Sequence, residues 1–338
     1  MRFLQGWLVR SLILVACLAA LAFTIGSLGP SRVMGALSGA DPRWVLYSAL
    51  AMVARYAVWT VKWAIMLARR GEVGIAWVAR SLLAGVFVNL TTPTAKLAGG
   101  FVRAALVRRK TGWGMAESYG WSLADQVTNT LGNIALGGVL LLGAVRVLPP
   151  GTVRGPFLAL GIVSLAGVAA TLLLRGWAWK QVRRPAAARW LARVTPARSR
   201  IQGPDGPAAG WVEPVFSPLL EVGKTGRVAT VDVGLAALSC SFLCVSNACA
   251  LAAVGVDASL VLSGAATVLA GFVGTVAGTV GGIGATELAL IGLYDQMGLP
   301  PESAAAAALL HRAAYYAVSL ALGGAALLWE GRKMAPRS

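Results

Sequence analysis

The chain has 338 residues, of which 57 % are hydrophobic and only 13 % charged, a balance that excludes an ordinary soluble domain. The formal net charge is +17, but the basic residues stand at the ends of apolar segments, as in Arg69-Arg70 and Arg108-Arg109-Lys110. That is the positive-inside pattern of a membrane protein and argues against a nucleic-acid-binding surface.

In chain order, apolar runs near the roughly 20 residues that a spanning helix needs fall at 11–28, 43–67, 119–146, 156–175, 230–254 and 303–329. Arg2 and Arg10 give the first run the look of a signal peptide, but it continues past Cys17, so an uncleaved span is expected. Regions 76–110 and 259–297 are interrupted midway by glycine clusters and leave arms short for a span. Both are expected to be re-entrant helical hairpins, whose tips need shielding by protein or water. Basic residues on both sides of the first hairpin place its ends in the cytoplasm, as does the basic loop 176–229. The sparsely charged loops 30–42 and 147–155 are expected outside, the second hairpin opens outside, and both termini are cytoplasmic.

The expected fold is therefore an all-α polytopic membrane protein with six spans plus two re-entrant hairpins, forming a single transmembrane domain over 1–338. Two spans, a hairpin and a span occur twice. An odd number of spans per unit sets the units in opposite orientation, an inverted-topology repeat of 1–147 and 148–338. The loop 176–229 is expected to lie on the membrane surface, with Trp190, Leu191 and Val194 alternating with Arg189, Arg193 and Arg198 as in an interfacial helix. Gly223-Lys224-Thr225 lacks the first glycine of a phosphate-binding loop, Pro218 standing in its place.

The two interruptions carry charge. The first contains Pro93, Lys96, Gly99, Gly100 and Arg103; the second contains Gly281, Gly282, Gly284 and Glu287. Broken helices with a charge at the break build binding sites in membrane transporters. Arg55 lies mid-way along the second span, with Lys62 two turns later on the same face. Such charges cost about 3 kcal/mol in a bilayer and need a cavity or a partner; Lys62 has an equal case for snorkelling to the interface. Arg103 is expected at the start of the second hairpin arm, where helix N–H groups are free. With Lys96 and Arg55 it would form an anion site suited to a lipid phosphate. An Arg103–Asp125 pair that holds the hairpin is the compatible alternative. Glu287 is expected to pair with Arg312 rather than act as a proton-coupling carboxylate, and His311 to be packed or interfacial.

The cysteines Cys17, Cys240, Cys244 and Cys249 lie in apolar helices and are expected as free thiols. Cys240 and Cys244 share a face but have no His or carboxylate partner for a metal. No catalytic motif of a known kind is legible, so no enzyme activity, metal or cofactor is expected. Asp41, the external carboxylate that a lipid-carrier glycosyltransferase would need, precedes Pro42 and reads as a helix start.

Pro93, Gly99, Gly100 and Arg103, then Asp125-Gln126-Val127-Thr128-Asn129, then Gly281, Gly282, Gly284 and Glu287, and finally Arg312, together resemble the transmembrane-region family of lysylphosphatidylglycerol synthases, the flippase-like membrane proteins. Phe101 stands where the family has glutamate, Gln126 and Asn129 where it has Arg and Asp, and Val280 where it has proline. The resemblance implies a membrane unit that handles or translocates lipids rather than one that aminoacylates them. The expected function is transport of an anionic phospholipid between leaflets of the cytoplasmic membrane. The substrate would be bound by Arg55, Lys62, Pro93, Lys96, Gly99, Gly100, Arg103, Asp125, Gly281, Gly282, Gly284, Glu287 and Arg312. Its partners are that lipid and the bilayer, and a homo-oligomer is compatible with the reading. The alternatives are a membrane-embedded enzyme or accessory subunit of lipid-linked sugar assembly, and a structural partner with no substrate.

Overall fold

The computed structural model describes residues 2–92, 97–148, 153–182, 209–224 and 226–332. Among them every regular element is helical: α1 (Arg2–Leu28), α2 (Pro30–Ser38), α3 (Pro42–Ala68), α4 (Ile75–Thr91), α5 (Leu97–Thr111), α6 (Met115–Val147), α7 (Arg154–Val182), α8 (Ala209–Lys224), α9 (Gly226–Ala253), α10 (Leu260–Ala277), a 3-10 turn (Val280–Gly282), α11 (Ala285–Gln296) and α12 (Pro301–Arg332). The chain is an all-α polytopic membrane protein. The six apolar runs of the sequence each lie in a helix, and among the described residues seven helices are long and apolar enough to cross a bilayer. The seventh is α10, the first arm of the second interrupted region. Its 18 residues rise about 27 Å, close to the roughly 30 Å of a hydrocarbon core, so this arm is longer than the sequence reading placed it.

Ion pairs gather helix ends at the basic end of the bundle. Arg69, which follows α3, donates from Nη2 to both oxygens of Asp232 near the start of α9, at 2.9 and 2.8 Å. Arg70 bonds Glu117 in the first turn of α6, and Arg80 of α4 bonds Glu330 in the last turn of α12. At the opposite end the Asp41 N–H donates to Ala253 O at 2.9 Å, joining the start of α3 to the end of α9. α4 therefore starts at the basic end, and α5 finishes there, because a short turn leads from it into α6. α10 starts at the other end, and α11 finishes there, because α12 then runs roughly 45 Å to Glu330 at 1.5 Å per residue. The outer ends of α4 and α5 therefore both lie at the basic end, and those of α10 and α11 at the other. The two interrupted regions also meet: a Cβ on Gly281 would lie 3.1 Å from Leu90 Cδ2 in the last turn of α4.

The two glycine clusters do different work. Gly278, Gly281, Gly282 and Gly284 all have positive φ, from 58° to 80°, where a side chain is strained; these residues make the break between α10 and α11. Gly99 and Gly100 instead lie inside α5. A Cβ on Gly99 would stand 2.1 Å from Gly85 O, and one on Gly100 2.7 Å from Gln126 Nε2. The first cluster thus lets α5 press against α4 and α6. Residues 93–96, with Pro93 and Lys96, lie outside the described residues.

Two further segments depart from the sequence reading. Part of the expected external loop 30–42 is α2, started by Pro30 at its first turn, a position where proline's missing N–H costs nothing. Its Val33 is buried in a cluster with Leu290, Tyr294 and Ala304. The end of the expected surface loop 176–229 is α8, which packs on α6: a Cβ on Gly120 would stand 2.4 Å from Val215 O. Leu219 and Val222 of α8 join Trp63, Val107 and Trp121 in a second apolar cluster, so the segment packs on the helix bundle. The expected interfacial residues around Trp190 lie outside the described residues.

Candidate functional site

Charged side chains enter the apolar interior at two centres. The first is built on Asp125 of α6, which is fully buried. Lys62 of α3 donates to its Oδ1 at 2.8 Å and Arg103 of α5 to its Oδ2 at 2.8 Å. Trp59 Nε1 adds contacts at 3.2 and 3.0 Å, and Asn129, one turn further along α6, donates at 3.2 Å. Lys62 also reaches Asp125 O and Asn129 Oδ1, both at 3.1 Å. It is 0 % exposed, so it is held inside and does not snorkel. Arg103 lies flat over Trp63, 4.1 Å from the ring centroid, a cation–π contact. Its Nε and Nη2 are buried without a hydrogen-bond partner.

The second centre closes the other hairpin. Arg312 of α12 donates from Nε to Glu287 Oε1 of α11 at 2.9 Å and from Nη2 to Gly281 O at 2.7 Å. The same Nη2 bonds Tyr316 Oη, and Tyr316 in turn donates to Gly281 O at 3.2 Å. A carbonyl exposed by the broken helix is thereby satisfied from α12, as backbone in a membrane interior must be. Glu287 Oε2 remains buried without a donor.

Arg55 belongs to neither centre. Its guanidinium carbon lies 5.8 Å from the centroids of both Tyr56 and Tyr315, and Tyr315 also faces Arg312 at 4.9 Å. Arg55 Nε and Nη1 are buried and have no hydrogen-bond partner. A polar chain continues away from the basic end: Ser48 Oγ donates to Ser246 O at 2.8 Å, and Ser246 Oγ contacts His311 Nδ1 at 3.3 Å.

The expected pairs Arg103–Asp125 and Glu287–Arg312 are both formed, and Lys62 joins the first. The structure does not group Arg103 with Arg55. Arg103 also lies beyond the first turn of the described helix α5, so its contacts are to Asp125 and Trp63 rather than to free N–H groups of a helix start. Gly281 and Gly282 lie at the second centre, where Gly281 supplies a carbonyl; Gly99 and Gly100 act through helix packing. Phe101, in place of the family's glutamate, stacks on Tyr119 at 4.3 Å. Asp41 caps α3, its carboxylate accepting from the Arg43 N–H at 2.8 Å. The four cysteines are free. The sequence reading overlooked Trp59, Trp63, Tyr315 and Tyr316. Their signal was spacing: Trp59 lies one turn before Lys62 and Trp63, and Tyr316 lies one turn beyond Arg312.

The signature of the lysylphosphatidylglycerol synthase TM region matches residues 7–323. The chain belongs to this family. A UPF0104 membrane protein of Methanothermobacter thermautotrophicus is 29 % identical over 136 residues, an alignment that spans 40 % of each chain. Within the matched span, Arg103 meets Asp125 at the first charged centre, and Glu287 and Gly281 meet Arg312 at the second.

Proposed function

We propose that this family member holds the headgroup of an anionic phospholipid in its interior and moves it between leaflets of the cytoplasmic membrane. One observation carries the reading: among the described residues, the ion pairs formed by Arg55, Lys62, Arg103 and Arg312 involve two carboxylates, Asp125 and Glu287, and Arg55 has neither. Unmatched buried cations are costly in hydrocarbon, and a phosphate with its forked oxygens is the natural complement of a guanidinium. In this reading acyl chains stay in the bilayer while the headgroup crosses. Proteoliposomes holding the purified protein and fluorescent phosphatidylglycerol test it. The wild type should expose inner-leaflet probe to an external quencher faster than protein-free vesicles; equal rates would dismiss transport. Arg103→Ala should slow the exchange while the protein stays folded, since Lys62 still matches Asp125. An unchanged rate would make Arg103 purely structural.

The same reading sets the hairpins as re-entrant from opposite membrane faces, the two units as an inverted repeat, and the basic end in the cytoplasm. Its support is the placing of the outer ends of each interrupted region at one end of the bundle and the contact of Leu90 with Gly281. Cysteines placed singly at 112–114 should react with an impermeant maleimide only from the cytoplasm, and those at 298–301 only from outside. Labelling of both from one face would refute the arrangement.

A further inference from the structure

Arg55 and Lys62 of α3 and Arg69, which caps its end in helical conformation, are spaced seven residues apart. That spacing keeps them on one stripe with a drift of only about 20° per step, and sets successive positions roughly 10.5 Å apart along the axis. Their acidic partners diminish inward from the basic end. Arg69 has both oxygens of Asp232. Lys62 shares one carboxylate, Asp125, with Arg103. Arg55 has none among the described residues, and its Nε and Nη1 are shielded donors without an acceptor.

Packing does not account for Arg55. Arg55 is half-buried, and two ring faces at 5.8 Å replace only part of the hydration lost at its Nε and Nη1. Arg312 shares the Tyr315 ring and adds like charge there, while its own carboxylate, Glu287, is already engaged. Two cations thus face one tyrosine, and only Arg312 has an acidic partner among the described residues. Tyr56 and Tyr315 would flank an anion at Arg55 with aromatic walls. The hydroxyl of Tyr56 is held by Ser319 Oγ at 2.5 Å, which fixes that ring against α12.

We propose that Arg55 holds the phosphate of an anionic lipid headgroup, at the inner end of a stripe of cations that leads along α3 from the basic end. The Asp125 centre is then a midway step on that stripe, and Arg55 sets selectivity for anionic over zwitterionic headgroups. This rests on the lipid-handling reading above but concerns binding, not movement.

The test uses the full-length protein purified in detergent. It is titrated separately with phosphatidylglycerol, phosphatidylethanolamine of the same chains, and inorganic phosphate. Phosphatidylglycerol should bind most tightly. Arg55→Gln should weaken it about tenfold, a change of about 1.4 kcal/mol, and weaken phosphatidylethanolamine, whose phosphate is offset by its own ammonium, by less. The melting temperature of Arg55→Gln should hold or rise, because the substitution removes a half-buried charge that has no acidic partner among the described residues. Arg55→Lys, which keeps the charge but not the fork, should retain most of the affinity. Undiminished phosphatidylglycerol binding by Arg55→Gln would overturn the assignment. A falling melting temperature in both variants would also overturn it, by making Arg55 part of the scaffold. Inorganic phosphate that binds as tightly as the lipid and displaces it would assign the site to a free anion instead. Lipid bound at Arg55 without interleaflet exchange would leave this site standing and dismiss transport alone.

Discussion

Asp125→Asn is expected to destabilise the protein more than any other single change at the two charged centres. The carboxylate accepts from Lys62, Arg103, Trp59 and Asn129, and it is the only acid that Lys62 and Arg103 share. An asparagine of the same shape presents one acceptor oxygen and turns an NH2 toward one of the two cations. Both cations are then left unmatched in the interior, and breaking a buried pair costs about 3–5 kcal/mol. Lys62→Gln and Arg103→Gln should each be milder, because each leaves one cation against one carboxylate. Adding Lys62→Gln to Asp125→Asn should recover part of the loss. Thermal melts in detergent, with size-exclusion profiles as a check on folding, give the order directly. Asp125→Asn as stable as either cation variant would mean that Asp125 does not hold both charges.

Glu287 and Arg312 are expected to behave as a coupled pair of unequal members. Glu287→Gln removes the carboxylate that holds Arg312 Nε and leaves a lone buried cation. Arg312→Gln loses that pair and also the Nη2 contacts to Gly281 O and Tyr316, so the hairpin break is left with a poorly satisfied carbonyl. Arg312→Gln should therefore be the more damaging, by the roughly 1–3 kcal/mol of an unsatisfied buried acceptor. The double variant should recover part of the summed loss, with a coupling of about 0.5–3 kcal/mol typical of residues in contact. Recovery stays incomplete because glutamine at 312 reaches the Gly281 carbonyl less well. Melting temperatures of the four proteins close the cycle; strictly additive effects would show that the two side chains do not interact.

Much of this architecture is legible in the sequence because burial in a bilayer leaves a strong composition signal. A run of about 20 apolar residues is hard to place elsewhere, so all six long runs appear in helices of the expected kind. Charges are rare in such runs and demand partners, which is why Arg103 with Asp125 and Glu287 with Arg312 could be paired before any coordinates. Lys62 was open because a lysine can equally reach the interface along its own stem; only the position of α6 beside α3 decides that Asp125 receives it.

Other features are not written in local pattern at all. The two glycine clusters look alike along the chain, yet one supplies left-handed turns between α10 and α11 and the other clears space for α4 and α6 against α5. A glycine's lack of a Cβ serves both ends, and the neighbour that needs the space comes from another helix. The packing of α8 on Gly120 and the burial of Val33 of α2 among α11 and α12 are likewise set by contacts between distant segments. By itself the sequence determined the membrane class, the long apolar helices, the interruptions and the charged residues that had to be reconciled inside. Only the tertiary structure decided that Lys62 joins Arg103 on Asp125 and that Arg55 is left without an acid among the described residues. Arg55, Lys62 and Arg69 are equivalent along α3, and what distinguishes them is the acid that α6 or α9 does or does not bring to each.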